Sequence, residues 1–161
     1  MSNNIKLIKE EKFCKLYWKS KELYNLILEY DFGAGISLPS RFTEQLCRQL
    51  YNLKKYEVKD NTKDTNKKAF DAVDEHGNNI EIKATTSKSS STTISTEEFD
   101  LLYWMRFSLD TDELFIYSIT GEEIRSNSEY QEIIKDPRNN ITLKKFLTDK
   151  HLIDVYKFNT I

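Results

Sequence analysis

A glycine-centred turn between two short strand patterns constrains the fold of this chain more than any other sequence feature. The predicted strands are residues 69–74 and 79–85. A three-residue connection, either 75–77 or 76–78, puts an odd number of residues between them, and Gly77 is free there to adopt a positive φ beside a bulge. The sequence therefore predicts an antiparallel β-hairpin with its tip near Gly77.

The second predicted strand alternates charged and apolar side chains. Glu81 and Lys83 project from one side, because alternate residues of an extended strand share a face. The opposite side, which we expect to be buried, carries Ile80, Ile82 and Ala84. Asp71 joins Glu81 only if the hairpin pairs it with residue 81 or 83, and both registers require the odd-numbered turn. The hairpin thus brings two carboxylates and an amine together.

Two carboxylates and an amine in one place are typical of a divalent-metal phosphodiesterase. Mg²⁺ prefers oxygen ligands and keeps several waters, so Asp71 and Glu81 are the predicted ligands, with a further one from the backbone carbonyl of Ile82. Lys83 is expected to supply positive charge where the transition state needs it, or to orient and help deprotonate the attacking water. The predicted cofactor is Mg²⁺, and the predicted reaction is hydrolysis of a phosphodiester bond.

The stretch Phe-Asp-Ala-Val-Asp-Glu-His-Gly-Asn-Asn-Ile-Glu-Ile-Lys, residues 70–83, resembles the active-site hairpin of the PD-(D/E)XK nucleases. Within them it is most similar to the small PvuII-like type II restriction endonucleases. The two carboxylates and the lysine fall on the three motif positions, and Phe70 stands where the superfamily name has proline. The resemblance is firm over residues 68–86 and rests elsewhere on length and element order.

This resemblance implies an α+β fold with a restriction-endonuclease-like core, in which helices flank a mixed, mainly antiparallel sheet. It also implies a homodimeric, Mg²⁺-dependent type II restriction endonuclease that cuts double-stranded DNA at a short palindrome. Compact enzymes of this kind that cut GCNGC-like sites are the nearest guide to its specificity. A two-fold dimer suits such a site because one metal site cuts one strand.

Two other interpretations remain open from the residues alone. A structure-selective nuclease, such as a Holliday-junction resolvase, would use the same metal chemistry without recognising bases. Alternatively, the charged trio is a solvated strand face with a weak cross-strand ion pair, and the chain is a non-catalytic DNA-binding or interaction module.

Length and composition restrict the class of protein. The 161 residues fit one domain, here divided into a helical region over 1–36 and a catalytic core over 37–161. Cys14 and Cys47 lie in helical patterns, and neither a secretory signal nor an apolar run of membrane length is evident, so we expect a cytoplasmic protein without membrane contact. Only two histidines occur and no glycine-rich phosphate loop, which disfavours zinc sites and a nucleotide cofactor.

Charge is distributed unevenly although the net charge is -2. Residues 54–68 carry six lysines against three acids, whereas residues 97–136 carry eleven acids against three basic residues. This asymmetry predicts that the lysine-rich segment, with Lys63 and Lys67, contacts DNA phosphates. A solvated loop without a partner is the alternative.

A hydroxyl-rich segment, residues 84–96, follows the charged strand and contains no acid. Hydroxyls and a lysine at this place suit hydrogen bonds to phosphates and base edges. The residues we predict to contact DNA here are Thr85, Thr86, Ser87 and Lys88. The alternative is a flexible polar loop.

The amino-terminal half adds two less specific candidates. Glu44 precedes the first predicted strand on a helix and is a candidate additional active-site acid, as in some nucleases of the superfamily, or an ordinary surface glutamate. The aromatic-rich first helix either packs on the core or forms a dimer interface.

The periodicity of the chain predicts its remaining elements. In chain order they are a long helix over 5–31 with or without one break, a loop over 32–37, a helix over 39–53, a strand over 56–59, strands over 99–108 and 113–119 around a turn at 109–112, a helix from 120 to 135 and a turn over 136–140. Residues 101–105 also fit a helical period. Thr120 and Glu123 form the pattern of a capping box. The tail after 140 is predicted to be a short helix or irregular.

Overall fold

A computed structural model describes residues 4–57, 69–86, 90–95 and 97–160. Its strands and helices, in chain order, are β1 Ile5–Ile8, α1 Glu11–Glu29, α2 Ser40–Tyr51, β2 Lys54–Lys55, β3 Ala72–Val73, β4 Asn79–Thr85, β5 Ser91–Thr93, β6 Leu101–Ser108, β7 Glu113–Thr120, α3 Gly121–Arg125, α4 Ser128–Lys135, β8 Asn140–Thr142 and β9 Leu152–Phe158. Two short 3₁₀ helices, Leu143–Lys145 and Asp149–His151, precede β9.

Seven strands form one mixed sheet in the order β1-β9-β7-β6-β4-β3-β2, and β5 pairs with β8 separately. The β1–β9 and β4–β6 pairs are parallel, and the other neighbours in the large sheet are antiparallel. Helices lie on both faces. This confirms the predicted fold class: an α+β core with a mixed, mainly antiparallel sheet flanked by helices.

The two faces of the large sheet bury different residue sets. The first face packs against α1 and α2 and contains Tyr17, Leu46, Ile80, Ile82, Met105, Leu114 and Ile116. The second face packs against α3, α4 and the segment before β9 and contains Phe99, Leu102, Trp104, Tyr117, Ile119, Ile124, Tyr130 and Phe146. Glu81 and Lys83 lie on the second face, because their partners in the β4–β6 register are Leu102 and Trp104.

The central hairpin β6–β7 agrees with its prediction. Its strands lie within one or two residues of the predicted bounds, and Asp112 in the connecting turn has a φ of 57°. The helical alternative for residues 101–105 is wrong. Leu102 and Met105 are fully buried on opposite faces, which a strand covered on both sides requires.

The single helix predicted for residues 5–31 is wrong at its start. Residues Ile5–Ile8 form a strand parallel to β9, and α1 begins only at Glu11. Over only four residues, Ile5 to Ile8, the apolar side chains fit both the helical and the strand period. The pairing with β9 therefore decides the structure. The predicted second helix is confirmed as α2: Leu46 is fully buried, and Asn52 in the left-handed region ends it.

The first predicted strand, over 56–59, is displaced. The strand is Lys54–Lys55, while Tyr56 and Glu57 lie outside it and 58–59 fall outside the described residues. The Tyr56 ring instead packs edge-on against Phe70, with the ring centroids 5.5 Å apart. Tyr56 is thus partly buried against the second face of the sheet rather than paired in a strand.

The helix predicted from residue 120 to 135 is interrupted. Its start is confirmed, since the Thr120 hydroxyl accepts a hydrogen bond from the backbone N–H of Glu123. Asn127, however, accepts hydrogen bonds from the N–H groups of Glu129 and Tyr130 and so begins a second helix. The turn after it is confirmed by a 3.0 Å hydrogen bond from Asn139 N to Asp136 O.

The tail predicted to be helical or irregular contains strand β9. It lies between β1 and β7, and Val155, Tyr156 and Phe158 are buried. The short-range pattern does not reveal this strand because both of its partners lie far away in the sequence. Within the described residues, no helix combines the length and the apolar character needed to cross a lipid bilayer.

Candidate active site

The β3–β4 hairpin has the predicted register. Ala72 pairs with Ile80 and Val73 with Asn79. The backbone N–H of Asp71, just before β3, donates to Ile80 O at 3.0 Å. The pairing Ala72–Ile80 belongs to the register in which residue 71 would face residue 81, but Asp71 itself lies outside the paired strand, so its pairing with Glu81 stays a prediction.

The hairpin turn follows the first of the two predicted connections, residues 75–77. Asp74 N donates to Asn78 O at 3.1 Å and closes it, and Gly77 has a φ of 80°. The Asp74 carboxylate also accepts hydrogen bonds from the backbone of His76 and Asn78, both at 2.9 Å. The turn is therefore held by its own residues, which fixes the register of the strands beside it.

Asp71, Glu81 and Lys83 converge where the hairpin opens. The Asp71 carboxylate accepts a 2.8 Å hydrogen bond from the backbone N–H of Ile82, and the Lys83 Nζ lies 3.3 Å from a Glu81 carboxylate oxygen. The side chains of Glu81 and Lys83 are only 7% and 19% exposed. The structure thus brings together the three residues that the sequence singles out.

The environment of Glu81 favours its protonated form. Burial, followed by the negative charge of Asp71, raises the pKa of the Glu81 carboxyl to about 7, while the Lys83 ammonium opposes this. Two carboxyls close together share the site with a single lysine. Additional positive charge would favour the ionised form of Glu81.

The backbone of Ile82 contributes to the same edge. Ile80 O and Ile82 N both bond to Asp71, so residues 80 and 82 direct their backbone groups towards β3. Because the N–H and C=O of one strand residue point to the same side, the Ile82 carbonyl lies on the Asp71 side of β4. Two carboxylates and this carbonyl form an oxygen-only donor set, which suits Mg²⁺.

Protein side chains alone supply few ligands here. In the part of the chain that the structure describes, no group of three or more His, Cys, Asp or Glu side chains is arranged to hold a metal ion. A cation at the hairpin would therefore keep much of its water, as Mg²⁺ commonly does.

Glu44 lies in the first half of α2, the helix that packs against β4. Its carboxylate is 3.9 Å from the Arg48 guanidinium, which donates at 3.3 Å to the backbone carbonyl of Asp71. The Glu44 side chain is 15% exposed. The structure therefore connects Glu44 to Asp71 through Arg48, without making it a third carboxylate of one metal-binding group.

The predicted DNA-contacting residues are only partly described. Lys63, Lys67, Ser87 and Lys88 lie outside the described residues. Thr85 accepts a 3.0 Å hydrogen bond from the indole N–H of Trp104. The Thr86 hydroxyl donates to the carbonyl of Ile36. Both threonine hydroxyls therefore hold local structure at the end of the charged strand.

Sequence reasoning missed a neighbouring polar group on β6 and β7. Arg106 lies opposite Thr85 in the β4–β6 register and donates a 3.1 Å hydrogen bond to the Tyr117 hydroxyl. Trp104 is opposite Lys83 and stacks on Tyr117. The sequence did contain one indication of this group: Arg106 is the one charged residue in the otherwise largely apolar strand sequence LLYWMRFS.

Comparison with known proteins identifies the family. The model of the Bsp6I restriction endonuclease family matches residues 5–145, which include both helices on the first face, the β3–β4 hairpin and β6–β7. No curated protein matches this chain. Because the family match covers most of the chain, the protein belongs to the Bsp6I restriction endonuclease family and is a type II restriction endonuclease that acts on DNA.

Proposed function

We propose that this restriction endonuclease hydrolyses double-stranded DNA at a short palindromic site by Mg²⁺-dependent attack of water, at a site of the PD-(D/E)XK type. The observation that carries the proposal is the convergence of Asp71, Glu81 and Lys83 at the open end of one hairpin. Their order and spacing resemble the PvuII-like enzymes, and a GCNGC-like sequence is the corresponding proposal for the site.

The proposed metal ligands are the carboxylates of Asp71 and Glu81 and the carbonyl of Ile82. When bound there, Mg²⁺ would lower the pKa of a bound water and neutralise charge on the phosphate. The hydrogen bond from Ile82 N fixes the orientation of the Asp71 carboxylate. Burial of Glu81 holds its carboxylate in one orientation.

Lys83 is the proposed catalytic amine. Its ammonium lies beside Glu81 in a largely buried position, so its charge is little screened by water. The ammonium can stabilise negative charge that develops on the phosphate and orient the attacking water, whereas only the neutral amine could accept the proton of that water. Glu81 positions Lys83 for either role. We propose Glu44 as an additional acid that acts through Arg48 on the Asp71 backbone.

A homodimer is the proposed assembly. One catalytic site per chain cuts one strand, so cutting both strands at a palindrome calls for a second copy related by a two-fold axis. Beyond its buried part, α1 and the loop after it expose a row of large apolar side chains: Leu23 at 51%, Leu26 at 48%, Tyr30 at 59% and Phe32 at 78%. Their spacing places the first three on one side of the helix. Within the proposed division of the chain into 1–36 and 37–161, this face is the dimerisation element.

The DNA surface is proposed to flank the catalytic hairpin. Lys63 and Lys67 would contact phosphates, and the segment from Thr85 to Lys88 would lie against the bases or their backbone. Thr85 and Thr86 extend from the carboxyl end of β4, two and three residues beyond Lys83. DNA held over Lys83 would therefore meet this segment.

Plasmid cleavage tests the proposal. Supercoiled DNA should yield discrete fragments with fixed ends in Mg²⁺ and remain intact in EDTA. Ca²⁺ should support specific binding without cleavage, because it occupies the carboxylates but gives a poorer nucleophile. Cleavage in EDTA would contradict the metal mechanism. Fragments with random ends would indicate a structure-selective nuclease, and binding without any cleavage a non-catalytic module.

A further inference from the structure

A cleft of about 370 Å³ opens on the second face of the sheet, beside the proposed catalytic hairpin. Trp104 and Tyr117 form its floor, with ring centroids 4.7 Å apart. Lys144 and Asp149, both exposed, lie at its rim. Arg106 also lines the cleft. The charges of Arg106, Lys144 and Asp149 add up to one net positive charge there.

The Arg106 guanidinium is oriented but not neutralised. It lies over the Phe115 ring, 4.3 Å from the centroid, and donates one hydrogen bond to the Tyr117 hydroxyl. Among the described residues, no carboxylate forms an ion pair with it. Most of its N–H donors are thus left for a ligand or for water. A half-buried guanidinium held in one plane without a carboxylate is costly unless a ligand uses it.

Ser90 gives an independent indication of a polar ligand in the same cleft. It is only 4% exposed, and within the part of the chain that the structure describes its hydroxyl has no hydrogen-bond partner. A buried hydroxyl without a partner is rare in folded proteins. Among the described residues, the cleft therefore contains two polar groups, Ser90 and Arg106, whose hydrogen-bonding capacity is unused or only partly used.

The strand register places this cleft next to the proposed scissile phosphate. Lys83 is opposite Trp104, and Arg106 is two residues further along β6. This separates Arg106 from Lys83 by about 7 Å along the strand and about 5 Å across it. Base pairs are stacked about 3.4 Å apart, so Arg106 is within reach of a base about two or three positions from the phosphate at Lys83.

We propose that Arg106 is a specificity-determining residue, which recognises a guanine of the DNA site through paired hydrogen bonds to O6 and N7. This rests on the proposed function, because it takes the DNA to be cut at Asp71, Glu81 and Lys83. A planar guanidinium matches the two guanine acceptors in the major groove. Phe115 and Tyr117 are positioning residues that fix its plane. A phosphate contact requires charge but no fixed plane, and exposed Lys144 suffices for that role.

The experiment combines protein variants with a modified base. The ends of wild-type cleavage products in Mg²⁺, mapped on a mixed DNA library, first give the cognate site. Duplexes are then made in which single guanines are replaced by 7-deazaguanine, which lacks the N7 acceptor. Binding is measured in Ca²⁺ for the wild type and for Arg106→Gln, Arg106→Lys, Tyr117→Phe and Lys144→Gln.

At one guanine of each half-site, 7-deazaguanine should weaken wild-type binding by about ten- to a hundredfold. Arg106→Gln should lose the same affinity on unmodified DNA and show no further loss with 7-deazaguanine. Arg106→Lys should not restore the preference for guanine, because lysine keeps the charge but lacks the planar, two-pronged donor geometry of the guanidinium. Tyr117→Phe keeps the stacked ring and should lose part of the discrimination. Lys144→Gln should weaken binding to all DNA sequences equally.

The outcomes separate this inference from the proposed function. If the wild type cuts nothing in Mg²⁺, the proposed function fails. If it cuts at fixed ends but the site contains no guanine, or no 7-deazaguanine position matters, the role of Arg106 is overturned while the nuclease proposal stands. Equal loss on every sequence in Arg106→Gln, with equal recovery on every sequence in Arg106→Lys, would show a phosphate contact and overturn it as well. If Arg106→Gln does not fold, Tyr117→Phe and Arg106→Lys on the same modified duplexes carry the comparison, and a loss with 7-deazaguanine as large as in the wild type in both variants would overturn the role of Arg106.

Discussion

The two faces of the central sheet differ in what they bury. The first face, under α1 and α2, covers apolar side chains such as Leu46 and Met105 completely. The second face covers Glu81 and half-buries Lys83 and Arg106 among aromatic rings. Taking charged groups out of water costs free energy that their contacts only partly return. The first face therefore stabilises the fold, whereas the second holds charged groups at a cost in stability.

The largest expected effect comes from removing the charges on the second face. Asp71→Asn, Glu81→Gln and Lys83→Ala should each lower cleavage by at least about a thousandfold, as expected for members of one catalytic unit. The melting temperature should stay unchanged or rise for the two carboxylate variants, because each removes a like charge from a crowded pair. Initial rates of plasmid cleavage and thermal unfolding measure the two effects.

The matched control for these variants is Glu75→Gln in the same hairpin. Its side chain is 77% exposed at the turn, and it should cut DNA at the wild-type rate. Near-wild-type cleavage by Asp71→Asn or Glu81→Gln in Mg²⁺ would remove the proposed metal site and the contrast between the faces.

Truncation on the first face should give the opposite result. Leu46→Ala should lower the free energy of unfolding by about 2 to 5 kcal/mol, because it opens a cavity at a fully buried position. Cleavage per folded molecule should remain unchanged. Urea unfolding and cleavage at low temperature measure these quantities. Leu28→Ala, at a position that is 47% exposed, is the control and should change stability by less than about 0.5 kcal/mol.

A third comparison contrasts the two sides of α1: one packs on the first face of the sheet, and the other exposes large apolar side chains. Leu26→Glu combined with Phe32→Glu should raise the dimer dissociation constant at least about tenfold, since apolar side chains at an interface centre dominate affinity. Plasmid should then be nicked before it is linearised. Sedimentation velocity and gel analysis record both changes.

Asn25→Glu is the control for this pair. Asn25 is exposed but lies on the far side of the helix from Leu23, so the charge should leave assembly unaffected. A wild-type protein that is monomeric on DNA, or a dimer that the double variant leaves intact, would place the interface elsewhere.

The smallest expected effect tests whether the second face also contains purely structural residues. Thr120→Ala should destabilise the fold by about 1 kcal/mol, because the N–H of Glu123 loses its cap. Thr120→Ser keeps the oxygen and should lose little. Both should cut DNA normally once folded. A loss of specific activity in Thr120→Ala, measured well below its melting temperature, would show that α3 helps to position the site.

Local chemistry made the candidate site predictable from sequence. The odd-numbered turn, Gly77 and the alternation around Glu81 and Lys83 lie within one short segment, so the register could be narrowed to two possibilities before the structure. The central strands β6 and β7 were found for the same reason. Their strong apolar patterns and the turn between them are contiguous in the chain.

The missed features depend on distant partners. Strand β1 looked helical because nothing nearby in the sequence reveals that β9 pairs with it. Asn127 interrupted a predicted helix because its side chain competes for backbone N–H groups, which a periodicity of apolar residues does not register. The cleft around Arg106 needed the β4–β6 register and the packing of Tyr117, neither of which a linear pattern contains.

The parallel pairing of β1 with β9 has a consequence for the order in which the protein assembles during synthesis. Ile5 pairs with Val155, 150 positions later, and β9 separates β1 from β7. Until the ribosome has released β9, β7 presents an unpaired edge and β1 has no partner, both of which favour aggregation. Such a high contact order slows folding. Shortening the chain before residue 152 should therefore yield an insoluble product rather than a smaller active nuclease.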